Sequence, residues 1–421
     1  MPLNTARICN FALMPTNYLS RITQPDVQDF IFSHEGEDER EFVLRQKVIF
    51  GFSAPQIAQQ LAGRRKSKLK LPTWHKTKGI AYPPTVNLEQ SSSEATALFK
   101  SICSRSLFSK QTNLVAVDLT GGFGIDSYYF SQVFNSTHYV EPNLDLFEIA
   151  QHNHHALAAS SIVHHNTTAE KFIDATRLNF DLVFLDPSRR DKQSRKVFRL
   201  ADCSPDITNL QEKIFEKCLF LLVKASPLLD IQQGLREIQH VKKVFVVSVA
   251  NECKELLFLA EKNYLGVADI EAVDLTMEGK VKSTFTFNIA EEKNAIAQSG
   301  EPSTFLYEPN AAILKSGAFK LISQKFTLAK LAPNTHLYTS SQLVSGFPGK
   351  TFRIEVLDPD TKEIRQRLTN QQVNVMTRNY PLKAEELKKK LKLLDGGDKF
   401  LIGFSTPHKK HIALCSGVTK N

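Results

Sequence analysis

The chain has little that would staple it from outside. Its six cysteines, at 9, 103, 203, 218, 253 and 415, are scattered over 421 residues with no Cys-x-x-Cys. That excludes a disulfide framework and a zinc finger, and fits reduced thiols in a cytoplasmic protein. No apolar run is long enough to span a bilayer, so no membrane partner is expected. Arg7 interrupts the short mixed segment at the start, so no secretory leader is expected. His-Glu-x-x-His is absent. The histidines at 152, 154, 155, 164 and 165 have no cysteine beside them, and no metal site is expected. Apolar content of 42% and charged content of 23% are ordinary, and the length allows two or three domains. The formal net charge of +9 makes a nucleic acid a plausible partner without establishing one.

What is present centres on residues 114–126, Leu-Val-Ala-Val-Asp-Leu-Thr-Gly-Gly-Phe-Gly-Ile-Asp. The short β-branched run predicts a buried parallel strand ending at Asp118. Thr120, Gly121, Gly122 and Gly124 then let the chain turn and a ligand approach its backbone. A helix follows from Ile125, with its first amides facing whatever lies over the turn. No Lys-Ser or Lys-Thr follows the glycines, so this is not a phosphate loop. Ser127 stands where a dinucleotide fingerprint has its third glycine.

The distances that follow are those of a doubly wound α/β unit. Glu141 ends a second short strand 23 positions after Asp118, where an acid can accept both hydroxyls of a ribose. A helix over 144–159 and a strand from Ser161 lead to the Thr168–Ala169 turn. The fourth strand, from Asp181, delivers Asp186-Pro187 at its end. Strands are expected at 218–227 and 241–249, with Ser283–Asn288 as an antiparallel seventh. Helices are expected at 207–217, 227–239 and 252–262.

The series Asp118-x-Thr-x-Gly-x-Gly-x-Asp126, Glu141-Pro-Asn and Leu185-Asp-Pro-Ser-Arg-Arg-Asp191 is similar to class I S-adenosylmethionine-dependent methyltransferases, over about 170 residues. The Asp126 variant of the first motif resembles the bacterial guanine-N2 methyltransferase of small-subunit ribosomal RNA. The resemblance implies a Rossmann-like seven-stranded sheet, six strands parallel and one antiparallel. S-adenosyl-L-methionine would be held by Asp118, Thr120, Gly121, Gly122, Gly124, Ile125, Glu141, Pro142, Thr168 and Ala169. Gln90, Ser93 and Thr96 would lie over its methionine part; the same segment also fits a plain capped helix. Asp186 and the Pro187 carbonyl would orient a base amine for in-line attack. The related pattern has a second proline and an aromatic where this chain has Ser188 and Arg189. Arg189 and Arg190 fit either a phosphate grip or structural salt bridges.

Around that unit, residues 1–95 form an N-terminal helical region with a basic arm, and 96–290 the methyltransferase domain. In the arm, Lys68, Lys70, Lys76 and the lone Trp74 suit phosphate contact with base stacking, or equally a solvated linker anchored by the indole. Residues 291–345 are expected to form a small ferredoxin-like linker domain and 346–421 an α+β module. The strand Val373–Thr377, the helix Ala384–Leu394 with Lys388 and Lys389 on its polar face, and two final strands resemble the THUMP-like domain attached to RNA methyltransferases of Bacteroidetes type. That resemblance implies RNA, tRNA or rRNA, as substrate. Oligomeric state is not legible.

Overall fold

The computed structural model describes residues 18–45, 47–108, 111–188 and 199–418. The N-terminal part holds helices α1 (Tyr18–Ile22), α2 (Pro25–Ser33), α3 (Glu39–Arg45), α4 (Ala54–Lys70), α5 (Pro72–Lys76), α6 (Thr85–Gln90) and α7 (Glu94–Arg105), with a small hairpin of β1 (Val48–Ile49) and β2 (Phe52–Ser53). Helix α4 starts where its sequence says it should. Ser53 is the cap, Pro55 lies in the first turn, and Gln56 Oε1 accepts from Ser53 N at 2.9 Å.

The central sheet has nine strands: β3 (Val115–Asp118), β4 (Ser136–Val140), β5 (Ile162–His165), β6 (Phe180–Leu185), β7 (Cys218–Ala225), β8 (Val241–Val249), β9 (Glu252–Glu261), β10 (Asp269–Leu275) and β11 (Val281–Asn288). Their spatial order is β5-β4-β3-β6-β7-β9-β8-β10-β11. The first seven in that order form the Rossmann-like methyltransferase core, with only β9 antiparallel. Strand β10 extends it in parallel and β11 closes the edge antiparallel. The chain runs outward from β3 through β4 to β5, then returns to β6. A crevice therefore opens where the C-terminal ends of β3 and β6 diverge.

Two expectations change here. Residues 252–262 are not a helix but strand β9, and Ser283–Asn288 lies in the edge strand β11 rather than being the antiparallel member of the core. Leu256 to Ala260 are almost wholly buried between β7 and β8, so packing overrides the helical preference of leucine. Ala250 and Asn251, with φ of 49° and 64°, make the tight two-residue turn that joins β8 to β9.

Helices α8 (Ile125–Ser131), α9 (Leu144–Ala156), α10 (Ala169–Ala175), α11 (Ile207–Lys217) and α12 (Ile231–Glu237) cover the sheet. The N-terminal region shares a core with the turn after β3: Ile57, Leu61, Trp74 and Tyr82 pack with Phe123, Ile125 and Tyr129. Trp74 is fully buried and meets Tyr128 edge-on at 4.8 Å. The anchored reading of the indole therefore holds, and the base-stacking reading is corrected, because no face of the ring is open to a base.

The C-terminal part is one seven-stranded sheet of β12 (Phe305–Pro309), β13 (Ala329–Ala332), β14 (Thr335–Ser340), β15 (Gly349–Leu357), β16 (Asn374–Arg378), β17 (Lys399–Ser405) and β18 (Lys410–Gly417), in the order β13-β14-β12-β15-β18-β17-β16. Strand β12 pairs directly with β15, so the sheet runs unbroken across position 345. The helix Ala311–Ser316 sits on the nine-stranded sheet. Asn251 Oδ1 accepts from Ala311 N and Lys315 Nζ donates to Leu229 O, each at 2.9 Å.

Candidate active site

Two strand ends make the site. Leu119 N donates to Phe184 O at 3.0 Å, and Asp186 N donates to Thr120 Oγ1 at 2.7 Å. These bonds hold the turn after β3 against the Asp-Pro end of β6. Between them opens a cleft of about 550 Å³.

The first wall is the glycine turn. Asp118 is only 1% exposed and lies beneath it. Its Oδ1 accepts from Thr120 N at 3.0 Å and its Oδ2 from the Ser127 hydroxyl at 2.6 Å. Burial pushes its carboxyl up to about 7, and neighbouring Asp126 adds to the effect. Glycine is required at 121 because a Cβ there would stand 2.2 Å from the Tyr139 ring. Behind the turn, Tyr139 OH donates to Gly122 O at 2.7 Å and His154 Nε2 to Gly124 O at 2.8 Å. The cleft face of the turn stays open. Glu141, at the end of β4, accepts from Gly122 N at 2.9 Å and Asn143 N at 2.8 Å. Burial raises its carboxyl above the usual range, and the two amides pull the other way.

The second wall carries Asp186. Its Oδ2 is 2.5 Å from Lys224 Nζ, which projects from the last turn of pleat in β7. Lys224 Nζ also donates to Ser92 Oγ at 3.2 Å, and Ser92 Oγ donates to Asp126 Oδ2 at 2.6 Å. Behind these, Lys100 is fully buried. Its Nζ donates to both oxygens of Glu255 at 2.8 and 3.0 Å and to Ser92 Oγ at 3.1 Å. It also lies 3.2 Å from Asp126 Oδ1, close enough for an ion pair but out of hydrogen-bond alignment. Burial alone would depress the Lys224 ammonium. Asp186, Asp126 and Glu255 reverse that and hold it well above the usual lysine range.

Of the residues singled out from sequence, Gln90, Thr120, Gly121, Gly122, Gly124, Ile125, Glu141, Pro142, Thr168, Ala169, Asp186 and Pro187 all line this one cleft. Asp118 supports the turn from below. Ser93 is not among the lining residues. It caps α7, accepting from Thr96 N at 3.2 Å, and Ser91 and Ser92 line the cleft in its place. Ser188 N donates to Ser204 O at 2.8 Å in a short bridge, a bond that the second proline of the related pattern could not make. Arg189 and Arg190 lie outside the described residues.

Sequence reasoning missed Ser92, Lys100, Lys224 and Glu255. The available signal was a lone lysine at the end of an otherwise apolar strand, Cys218–Ala225, which must meet an acid if it is buried.

The basic arm is largely engaged within the chain. Arg64 pairs with Glu35 at 2.7 Å, Arg65 with Glu39 at 2.5 Å, and Lys66 with Glu89. Lys70 Nζ donates to Leu88 O at 2.6 Å and Glu89 O at 2.9 Å, so it fastens α6 at the lip of the cleft. Burial there, with Lys224 nearby, brings the Lys70 ammonium down to about 8. Lys68 and Lys76 are exposed. In the C-terminal helix Ala384–Leu391, Lys389 is exposed, whereas Lys388 pairs with Asp395 at 2.6 Å and Glu385 at 2.8 Å.

Comparison with known proteins agrees with this architecture. Residues 305–348 match a family described as a ferredoxin-like domain, and 349–417 one described as THUMP domain-like. No curated protein sequence matches the chain. Among solved structures, a protein from Porphyromonas gingivalis W83, provisionally named a methyltransferase, is 28% identical; the match covers 94% of this chain and 98% of that one with a TM-score of 0.80. An rRNA methylase from Streptococcus thermophilus is 12% identical over 39% of this chain and 94% of that one, TM-score 0.30. TrmK of M. capricolum, solved with S-adenosyl-homocysteine, is 14% identical over 39% and 69%, TM-score 0.30. The last two likenesses are too slight to carry an argument. The chain thus combines a class I methyltransferase fold with ferredoxin-like and THUMP-like C-terminal domains, and the comparisons support a methyltransferase.

Proposed function

We propose that this protein is an S-adenosylmethionine-dependent methyltransferase acting on a base nitrogen of structured RNA, tRNA or rRNA. One observation carries the reading. The glycine turn, the strand-end acid Glu141 and the Asp186-Pro187 end of β6 face one another across a single cleft. The residues present fit the cofactor. Glu141 can exchange its amide donors for ribose hydroxyls, the open face of the turn admits an adenosyl group, and Thr168–Ala169 offers backbone to a ring. Bound there, the cofactor would supply an electrophilic methyl: an N–C bond would form as the S–C bond broke, sulfur would keep the electron pair, and the nitrogen would lose its extra proton to water. The chain's part is to orient that nitrogen. Asp186 and the Pro187 carbonyl accept its N–H groups and turn its lone pair toward the methyl.

RNA as substrate is supported by the THUMP-like domain and the net charge of +9. Exposed Lys68, Lys76 and Lys389 are the phosphate contacts we infer; Lys70 and Lys388 are committed to the fold, and Trp74 takes no part in binding.

The test is transfer of labelled methyl from S-adenosylmethionine to purified small and ribosomal RNA, followed by nucleoside analysis. Label on a base nitrogen, lost in Asp186→Ala, is expected. Label on protein or on ribose alone would overturn the substrate reading.

A further inference from the structure

Asp186 stands in a difficult place. The same wall of the cleft holds Asp126 and Glu255, and Asp118 lies just beneath the turn that Asp186 touches. An anion among acids is pushed outward, and the Asp186 side chain, one-third exposed, has solvent to swing into. Among the described residues, the cation that opposes this is Lys224. Lys224 Nζ, itself only 11% exposed, meets Asp186 Oδ2 at 2.5 Å and is braced on Ser92 Oγ at 3.2 Å. Ser92 is fixed in turn by Asp126 and by Lys100, whose ammonium is held by Glu255 from a strand 155 residues away. The lysine therefore cannot follow the carboxylate outward. Its stem is locked in the sheet and its head in a network.

We propose that Lys224 is a positioning residue for methyl transfer: it pins the Asp186 carboxylate at the mouth of the cleft so that the acid meets the target amine in a fixed orientation. This rests on the methyltransferase reading and deepens it. Lys224 donates no group and takes no proton in the step. It acts through Asp186, and the two residues form one unit. A corollary separates this role from simple stabilisation. An uncharged carboxamide at 186 is not repelled by the neighbouring acids, so it should need the lysine far less than a carboxylate does.

The experiment compares the full chain with Lys224→Met, Lys224→Arg, Asp186→Asn and the double variant Lys224→Met/Asp186→Asn. Turnover is read at saturating S-adenosylmethionine and RNA, and cofactor affinity is read separately by calorimetry. Displacing the acid should lower kcat of Lys224→Met roughly a hundredfold. Cofactor affinity should stay within about threefold, since no cofactor contact is removed. Lys224→Arg should restore most of the turnover. The double variant should exceed Lys224→Met by about tenfold, the signature of coupled partners. Turnover of Lys224→Met close to that of the unsubstituted chain would overturn the proposal. So would a double variant whose losses simply multiply, or a parallel collapse of cofactor affinity. An unsubstituted chain that binds S-adenosylmethionine yet methylates no RNA would instead overturn the RNA reading of the function, and this proposal would fall with it.

Discussion

The two walls of the cleft are built on different principles. The glycine wall is local. Asp118, Thr120, Gly122, Ser127 and Glu141 bond to one another's backbone and side chains within a stretch of two dozen residues, and mostly through neutral donors. The Asp186 wall is assembled from far apart. Lys100, Asp126, Lys224 and Glu255 come from four separate elements and hold one another by charge around the hydroxyl of Ser92, in the turn before α7. A local wall can be copied as a motif. A wall of distant charges works only if the whole sheet is formed, because each ion left unpaired in the interior costs several kcal/mol.

That contrast can be broken at its strongest point. Lys100→Met strands Glu255 and Asp126 without their cation, and should cost about 3–5 kcal/mol in denaturant unfolding. A loss under about 1 kcal/mol would show that the network is not holding the wall. Next comes Asp186→Ala. It should lower turnover by about 10²–10³-fold with cofactor affinity nearly unchanged, measured by methyl transfer alongside calorimetry. On the other wall, Gly121→Ala drives a methyl into the Tyr139 ring and should cost about 1–3 kcal/mol of stability, seen as a lower thermal midpoint.

The smallest effect is one of pH. Asp118 titrates near 7 in the fold against an ordinary 3.8, so the folded state holds its proton across that window while the unfolded chain has released it. Its contribution to stability is therefore full below the ordinary value and is lost as pH rises toward 7. The thermal midpoint of Asp118→Asn should depend on pH less steeply over that interval than the parent's does.

The same contrast explains what was legible in the sequence. The glycine turn, Glu141 and Asp186 could be read because their spacing is fixed by one strand, one helix and the next strand. Strand β9 could not, because Leu256–Ala260 prefers a helix in isolation and becomes a strand only between β7 and β8. Trp74 was ambiguous for a related reason. Its neighbours in sequence are lysines, but its neighbours in space are Tyr128 and Tyr129. Lys100 and Lys224 are each one charge in an apolar run, a mark that calls for a buried acid without saying which, and only the fold brings in its partner.

The most direct measurement is a calorimetric titration of the full chain, Glu141→Ala and Asp186→Ala with S-adenosylmethionine. One site per chain is expected, with affinity falling about 10–100-fold in Glu141→Ala, where a charged acceptor is removed. It should be nearly intact in Asp186→Ala, whose carboxylate serves the amine and not the donor. No heat of binding, or affinity lost at Asp186 and kept at Glu141, would contradict this division of the cleft.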